Sequence, residues 1–299
     1  MIRNIPRRRA IKLAVLATAL SASTAFACIC SSGIILVKKF YDANANGIHD
    51  PTEPRLRDWP MTLGSASLGD IATLLTDSFG YAQFNGVIPG TDYTMFEAVP
   101  VEGNWFQSKP VDAGGDPINP QTGIVVTVGH TTQLSFGNYC TKGSGGKTPG
   151  FWSNKNGQAT MLDGSPASLL PELNLLGSLN LVDANGVGFN PVDYPSFRTW
   201  LLDSNATNMA YKLSSHLAAM QLNVEAGFVS GNAIYAPFGG TVNELMALAN
   251  ASLGSDPYTP SGHPERAYQE QLKDYLDALN NGAGVVSPTP CKRTFTTTY

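Results

Sequence analysis

The residues best suited to chemistry in this 299-residue chain lie together in Asp42-Ala-Asn-Ala-Asn-Gly-Ile-His-Asp-Pro-Thr-Glu53. A hard divalent cation needs carboxylate and amide oxygens that converge from a sharply turned loop. The stretch meets the calcium-loop pattern D-x-[DN]-x-[DN]-G-x5-E at every specified position. Asp42, Asn44 and Asn46 would present side-chain oxygens from alternate positions, and Gly47 would allow the turn. Ile48 would give its backbone carbonyl, Asp50 would bind directly or through water, and Glu53 would close the shell with two oxygens. The expected cofactor is Ca2+. The plain alternative is an Asn/Gly-rich surface turn that binds nothing.

The flanks determine what holds this loop. Before it, Gly33-Ile-Ile-Leu-Val-Lys-Lys-Phe-Tyr41 is rich in β-branched and aromatic residues. After it, Pro54-Arg-Leu-Arg-Asp-Trp-Pro-Met-Thr-Leu63 carries two prolines that discourage a helix. A calcium turn between strands is therefore expected, not one between helices. Few carboxylates serve it, which predicts weak, extracellular-type affinity. Met61-Thr-Leu63, Ala82-Gln-Phe84, Tyr93-Thr-Met-Phe-Glu-Ala-Val99, Gly123-Ile-Val-Val-Thr-Val128 and Thr132-Gln-Leu-Ser-Phe136 are further short strands, parted by Gly, Pro and Asp turns. Residues 28–140 thus read as an all-β unit of two small packed sheets.

Residues 1–27 read as a secretory signal: Arg3, Arg7, Arg8, Arg9 and Lys12 precede a short apolar run over residues 13–20, then Ala25-Phe26-Ala27. That run is too short for a permanent membrane anchor. The full chain has a formal charge of −4, and losing these basic residues makes it more acidic. Nucleic acid and anionic membrane are poor partners for such a chain. Cys28, Cys30, Cys140 and Cys291 all survive cleavage, which in an exported chain predicts disulfides. A bridge between Cys28 and Cys30 would close a very small ring, so each is expected to pair with Cys140 or Cys291. Cys28 at the first mature position is also where lipidation would occur, although Ala25 and Phe26 fit a lipoprotein signal poorly.

Thr141-Lys-Gly-Ser-Gly-Gly-Lys147 reads as a short flexible linker, and residues 148–299 as a mainly α-helical domain. Residues 208–226 place Met209, Leu213, Leu217, Met220 and Val224 on one stripe, closed by Gly227. Thr241-Val-Asn-Glu244 is a capping box opening a helix that Gly254 should end. Pro264 suits a first helical turn before the stripe Tyr268, Leu272, Tyr275, Leu276 and Leu279, which Asn280-Asn-Gly282 stops. Residues 196–202 read as a shorter helix. The overall fold class is α+β and multidomain. His49, His130, His216 and His263 lack metal-ligand spacing, and no H-E-x-x-H, G-x-S-x-G or phosphate loop occurs.

Phe40-Tyr-Asp-Ala-Asn-Ala-Asn-Gly-Ile-His-Asp50, Thr76-Asp-Ser-Phe-Gly-Tyr-Ala-Gln-Phe84 and Ile88-Pro-Gly-Thr-Asp-Tyr93, in that order, resemble the SdrD B-like domain. This is a calcium-binding, prealbumin-like β-sandwich of bacterial surface adhesins, related to the collagen-adhesin B-type repeat. The resemblance covers roughly a third of the chain. It implies a stalk or spacer stiffened by calcium, with no catalysis. The chain differs from those adhesins in carrying one copy, no Ser-Asp repeat and no wall-sorting tail. Related B-type domains can carry an autocatalytic Lys–Asn isopeptide bond promoted by a buried acid. Lys38 or Lys39, Glu97 and Asn138 are the candidates for that trio. The plainer reading makes them exposed lysines, a sheet carboxylate and a turn asparagine. Thr148-Pro-Gly-Phe-Trp152 resembles the T-P-G-[FY]-W opening of a helical segment in exported bacterial proteins, where Phe151 and Trp152 are expected as core anchors.

The expected function is a secreted or surface-associated, calcium-stabilised structural or adhesion-type protein without catalytic residues. Its partners would be extracellular matrix, a surface protein or glycan, or a second copy of itself. The alternative is a glycan- or protein-binding module carried by the helical part. A hydrolase built on paired carboxylates is the third reading.

Overall fold

The computed structural model describes residues 31–162 and 167–296. The expected signal segment, Cys28 and Cys30 lie outside the described residues. Alternation builds the first strand, β1 (Gly33–Tyr41). Ile35, Val37, Lys39 and Tyr41 are fully buried, while Ile34, Leu36 and Lys38 are half-buried. After the Asp42–Glu53 turn come β2 (Pro60–Ser65), β3 (Gly69–Leu75), β4 (Tyr81–Val87) and β5 (Gly90–Glu97). Then follow β6 (Trp105–Lys109), β7 (Gln121–Val126) and the long β8 (Thr131–Gly143). The sequence reading missed β3 and β6. β3 is an edge strand exposed along most of its length, so it lacks an inward apolar series, and β6 buries only its first residue.

The helices are α1 (Pro149–Trp152), α2 (Lys155–Met161), α3 (Leu170–Gly177), α4 (Tyr194–Asp203) and α5 (Met209–Glu225). A small hairpin of β9 (Ile234–Tyr235) and β10 (Gly240–Thr241) precedes α6 (Val242–Ser255), α7 (Arg266–Asn280) and β11 (Gly284–Val286). Asn208 caps α5 by accepting from the Ala210 amide, and Thr241 and Glu244 form the expected reciprocal box at α6. Gly254 does not end α6, which runs on to Ser255. α5 packs between α6 and α7, and its Leu213, Leu217, Ala218 and Met220 are fully buried.

Two sheets face each other. One is β3-β2-β5-β7, all antiparallel. The other is β4-β1-β8, with β6 and β11 lying in turn along the outer edge of β8. Within it β1 and β8 are parallel, with Lys39 opposite Phe136 and Tyr41 opposite Asn138. Ile35, Val37, Trp59, Met61, Leu63, Met95 and Phe136 fill the space between the sheets. A second apolar core, containing Trp152, Phe197, Leu217, Leu245 and Leu276, lies among the helices.

Residues 141–147 are not a flexible linker. Residues 141–143 complete β8 and pair with β11, and Ser144 Oγ donates to the Leu279 carbonyl. A side chain on Gly146 would collide with the carbonyl of Leu279, so close approach of two backbones requires glycine there. Nor does the tail stay with the helices: β11 sets Val285 in their core but pairs with β8, and residues 287–296 run back along the sandwich. The Trp105 indole donates to the Lys292 carbonyl, the Val101 amide to the Thr294 carbonyl, and the Phe295 ring meets Trp59 edge-on. The helical excursion thus leaves the sandwich and returns to it.

Candidate functional site

The inward parity of three strands brings three polar side chains into the sandwich core. Lys39 follows Ile35 and Val37 on β1, Glu97 follows Tyr93 and Met95 on β5, and Asn138 follows Leu134 and Phe136 on β8. Lys39 is 0% exposed, Glu97 2% and Asn138 4%. The Lys39 ammonium nitrogen lies against both Glu97 Oε2 and Asn138 Oδ1, and Asn138 Nδ2 donates to Glu97 Oε1 at 3.1 Å. Lys39 and Asn138 come from adjacent parallel strands, while Glu97 reaches them from the opposite sheet. The plainer reading of exposed lysines is thereby overturned. Lys38 is the half-buried neighbour, near the Phe40 ring.

The surroundings are apolar and aromatic. Lys39 Nζ is 4.2 Å from the Trp59 ring centroid and 5.9 Å from that of Phe136. Burial lowers the Lys39 pKa to about 8, opposed by the Glu97 charge, and burial also raises the Glu97 pKa. Both directions raise the share of the neutral amine and carboxylic acid, while a pKa of about 8 leaves Lys39 mostly ammonium at neutral pH. Burying a charged pair costs several kcal/mol per ion unless the geometry compensates, so mere stability is a poor reason for this trio. Asn119 fixes Glu97 through its main chain: Asn119 Oδ1 accepts from the Glu97 amide at 3.0 Å and its Nδ2 donates to the Glu97 carbonyl at 2.8 Å. A cleft of about 540 Å3 reaches Glu97 and Asn138 between Phe96, Phe106, Pro117 and Tyr139.

The Asp42–Glu53 turn follows β1 directly. Asp42 is fully buried and accepts from the Asn46 amide at 3.0 Å and the Gly47 amide at 2.7 Å. Gly47 has φ 74°, the left-handed conformation the turn needs. The Asn44 and Asn46 side chains both converge on Asp50 Oδ2, at 2.8 and 3.3 Å. Glu53 accepts from the Ala43 and Asp50 amides at 2.7 and 2.9 Å, drawing the two ends of the loop together. Burial raises the Glu53 pKa. Ile48 is exposed, and its amide donates to Asn46 Oδ1. His49 stacks edge-on against Phe40, wedging the loop onto β1. The all-oxygen donor set suits a hard cation. Among the described residues, however, no three His, Cys, Asp or Glu side chains are grouped so as to hold a metal by themselves. Asn44 and Asn46 would have to supply part of the shell.

Cys140 and Cys291 are joined, with Cα atoms 6.1 Å apart. This corrects the expectation that each would pair with Cys28 or Cys30. The pairing follows from β11, whose antiparallel run along β8 carries the tail back to Cys140, where the Ser287 amide donates to the Cys140 carbonyl.

In the helical part, Thr148-Pro-Gly-Phe-Trp152 is an anchor. Thr148 caps α1, and the buried Trp152 indole donates to Asn223 Oδ1 at 3.3 Å. Asn223 also pairs with both main-chain groups of Lys147 and donates to Asn280 Oδ1. Asp183, Asp193 and Asp203 line an open depression beside Trp200, and the Asp183 side chain accepts from the Asn185 and Val187 amides.

No family model matches the chain, and no curated protein matches it significantly. Among solved structures, it is similar to GBS52, a minor pilin of Streptococcus agalactiae, at 15% identity over 37% of this chain and 45% of that one, TM-score 0.27. It is also similar to the shaft pilin SpaA of Lactobacillus rhamnosus GG, at 11% identity over 38% and 52%, TM-score 0.26. A third is BcpA, the major pilin subunit of Bacillus cereus, at 14% identity over 38% and 32%, TM-score 0.24. The chain spans about half or less of the length of these proteins, and likenesses this distant carry no functional weight.

Proposed function

We propose that this protein is an extracellular structural module whose sandwich locks itself with an intramolecular isopeptide bond between Lys39 and Asn138. The observation that carries the reading is the buried trio, with an amine, an amide and an acid in mutual contact among aromatic walls. The neutral Lys39 amine attacks Cγ of Asn138, forming the Nζ–Cγ bond. Glu97 takes a proton on Oε2 from the amine and returns one from Oε1 to Nδ2. The Cγ–Nδ2 bond breaks, ammonia leaves through the adjoining cleft, and Glu97 ends as it began. Each molecule reacts once, on itself, so the role is structural and not enzymatic. Closing the segment between residues that stand 99 positions apart removes unfolded-state entropy worth about 4–5 kcal/mol. The intact mass of the reduced protein should be lower than its sequence mass by one ammonia, and that of Lys39→Met should not; a reduced wild type at its full sequence mass refutes the bond.

Calcium at the Asp42–Glu53 loop belongs to the same proposal. Asp42, Asn44, Asn46, the Ile48 carbonyl, Asp50 and Glu53 would hold the ion, which would fix the turn that leaves β1 three residues after Lys39. With a dissociation constant on the order of 10⁻⁴–10⁻³ M, about 1 mM calcium adds roughly 0.4–1.4 kcal/mol. Melting of the sandwich should rise by a few degrees in calcium, and Asp50→Asn or Glu53→Gln should remove the rise. Identical curves in calcium and in chelator would make the loop an ordinary turn. Export, placement outside the cell and binding to matrix, glycan or other copies of the chain are part of this reading. N-terminal sequencing of the extracellular protein, which should begin at Cys28, tests the first.

A further inference from the structure

The two linkages meet on one strand. Asn138, the acceptor of the proposed bond, and Cys140, half of the disulfide, are two positions apart on β8 and share its inward parity. Lys39 lies near the end of β1, and Cys291 lies in the tail that returns from the helices. β1 and β8 run parallel, with Lys39 opposite Phe136 and Tyr41 opposite Asn138. A path that crosses from residue 39 to residue 138 therefore continues in the direction it was already travelling. It then needs only the short step to Cys140 before crossing to Cys291.

We infer that the Lys39–Asn138 bond and the Cys140–Cys291 disulfide act in series as a tether that carries tension. Tension entering ahead of β1 and leaving beyond Cys291 passes through residues 138–140 and bypasses both residues 40–137 and residues 141–290. The inference rests on the isopeptide reading for its first link and on the observed disulfide for its second. Its consequence is a division of labour within the chain. The most of the sandwich and the whole helical excursion hang on the tether as closed loops, held by their own packing but carrying no axial load. A surface of the helical part can then stay folded and available to a ligand while the chain is stretched. Without the tether, the same tension would act on the strand pairings and their packing, shearing β1 from β8 and peeling β11 off its edge.

Single-molecule pulling decides this, with handles fused ahead of residue 31 and after residue 296 on the otherwise complete exported chain. The oxidised wild type should stretch without a large unfolding step. Cys140→Ser with Cys291→Ser should release the intervening segment, whose ends are 151 positions apart, giving steps that total about 50 nm. If that double variant does not fold, reducing the folded wild type while it is held should produce the same release. Lys39→Met, with the disulfide intact, should release the segment between positions 99 apart, about 33 nm. An oxidised wild type whose mass shows the lost ammonia, yet which extends by either amount, overturns the tether and leaves the isopeptide reading standing. A wild type that retains its ammonia overturns both.

Discussion

Lys39 is the nucleophile of the proposed bond because of its parity. It occupies the inward series Ile35, Val37, Lys39, Tyr41, and only a side chain with a reason to be buried belongs there. The resemblance named Glu97 and Asn138 with Lys38 or Lys39 as a trio, and strand parity is what selects Lys39. Local sequence alone could not show that the three meet, because that depends on how two sheets stack. Glu97→Gln keeps the shape of the site but removes the acid. We expect its intact mass to match its own sequence mass and its sandwich to lose at least about 4 kcal/mol, read by denaturant melting. His216 makes a separate prediction. Burial lowers its pKa to about 4 from 6.5, against the pull of Asp277, whose Oδ1 is 3.6 Å away, and of Asp274, and with Lys212 and Lys273 adding to the depression. The unfolded chain therefore takes up a proton that the folded chain resists. This contribution is whole above pH 6.5, shrinks as pH falls and is gone below about 4, a loss of up to about 3 kcal/mol. Melting of the helical part across that range should show the decline, and His216→Gln should flatten it.

At the scale of elements, the longer helices were easier to read than the strands, while the short α2 and α3 were missed. The α5 stripe and the Thr241–Glu244 box depend on local spacing, and they stand within a residue or two of the expected limits. β3 and β6 carry little inward apolar pattern, and the last strand of three residues declares itself only by pairing with β8. The Thr148–Trp152 segment acts as an element larger than its four-residue helix, because Asn223 ties it to α5 and, through Asn280, to the end of α7. Asn223→Ala would leave the buried Trp152 indole and Asn280 Oδ1 without this partner and would unpair the two part-buried Lys147 main-chain groups. Each such group costs about 1–3 kcal/mol, so a loss of at least about 3 kcal/mol in the helical transition is expected. Equal stability of wild type and Asn223→Ala by chemical denaturation would contradict this account of the motif.

The whole molecule was the least legible scale. The expected boundary gave residues 148–299 to the helices, and nothing local announces that residues 284–296 return to the sandwich. That return sets the disulfide and places Arg293 over the Trp59 ring, which also lies against Lys39. The disulfide joins the returning tail to the sandwich across the helical excursion, and the proposed Lys39–Asn138 bond would lock the sandwich itself. The most direct test is tandem mass spectrometry of a reduced tryptic digest of the purified protein. The locked protein should yield a branched peptide that joins the Lys39 and Asn138 segments, lighter than its two parts by one ammonia and uncut after Lys39. Two separate linear peptides, with trypsin cleaving after Lys39 and the Asn138 amide intact, would contradict it.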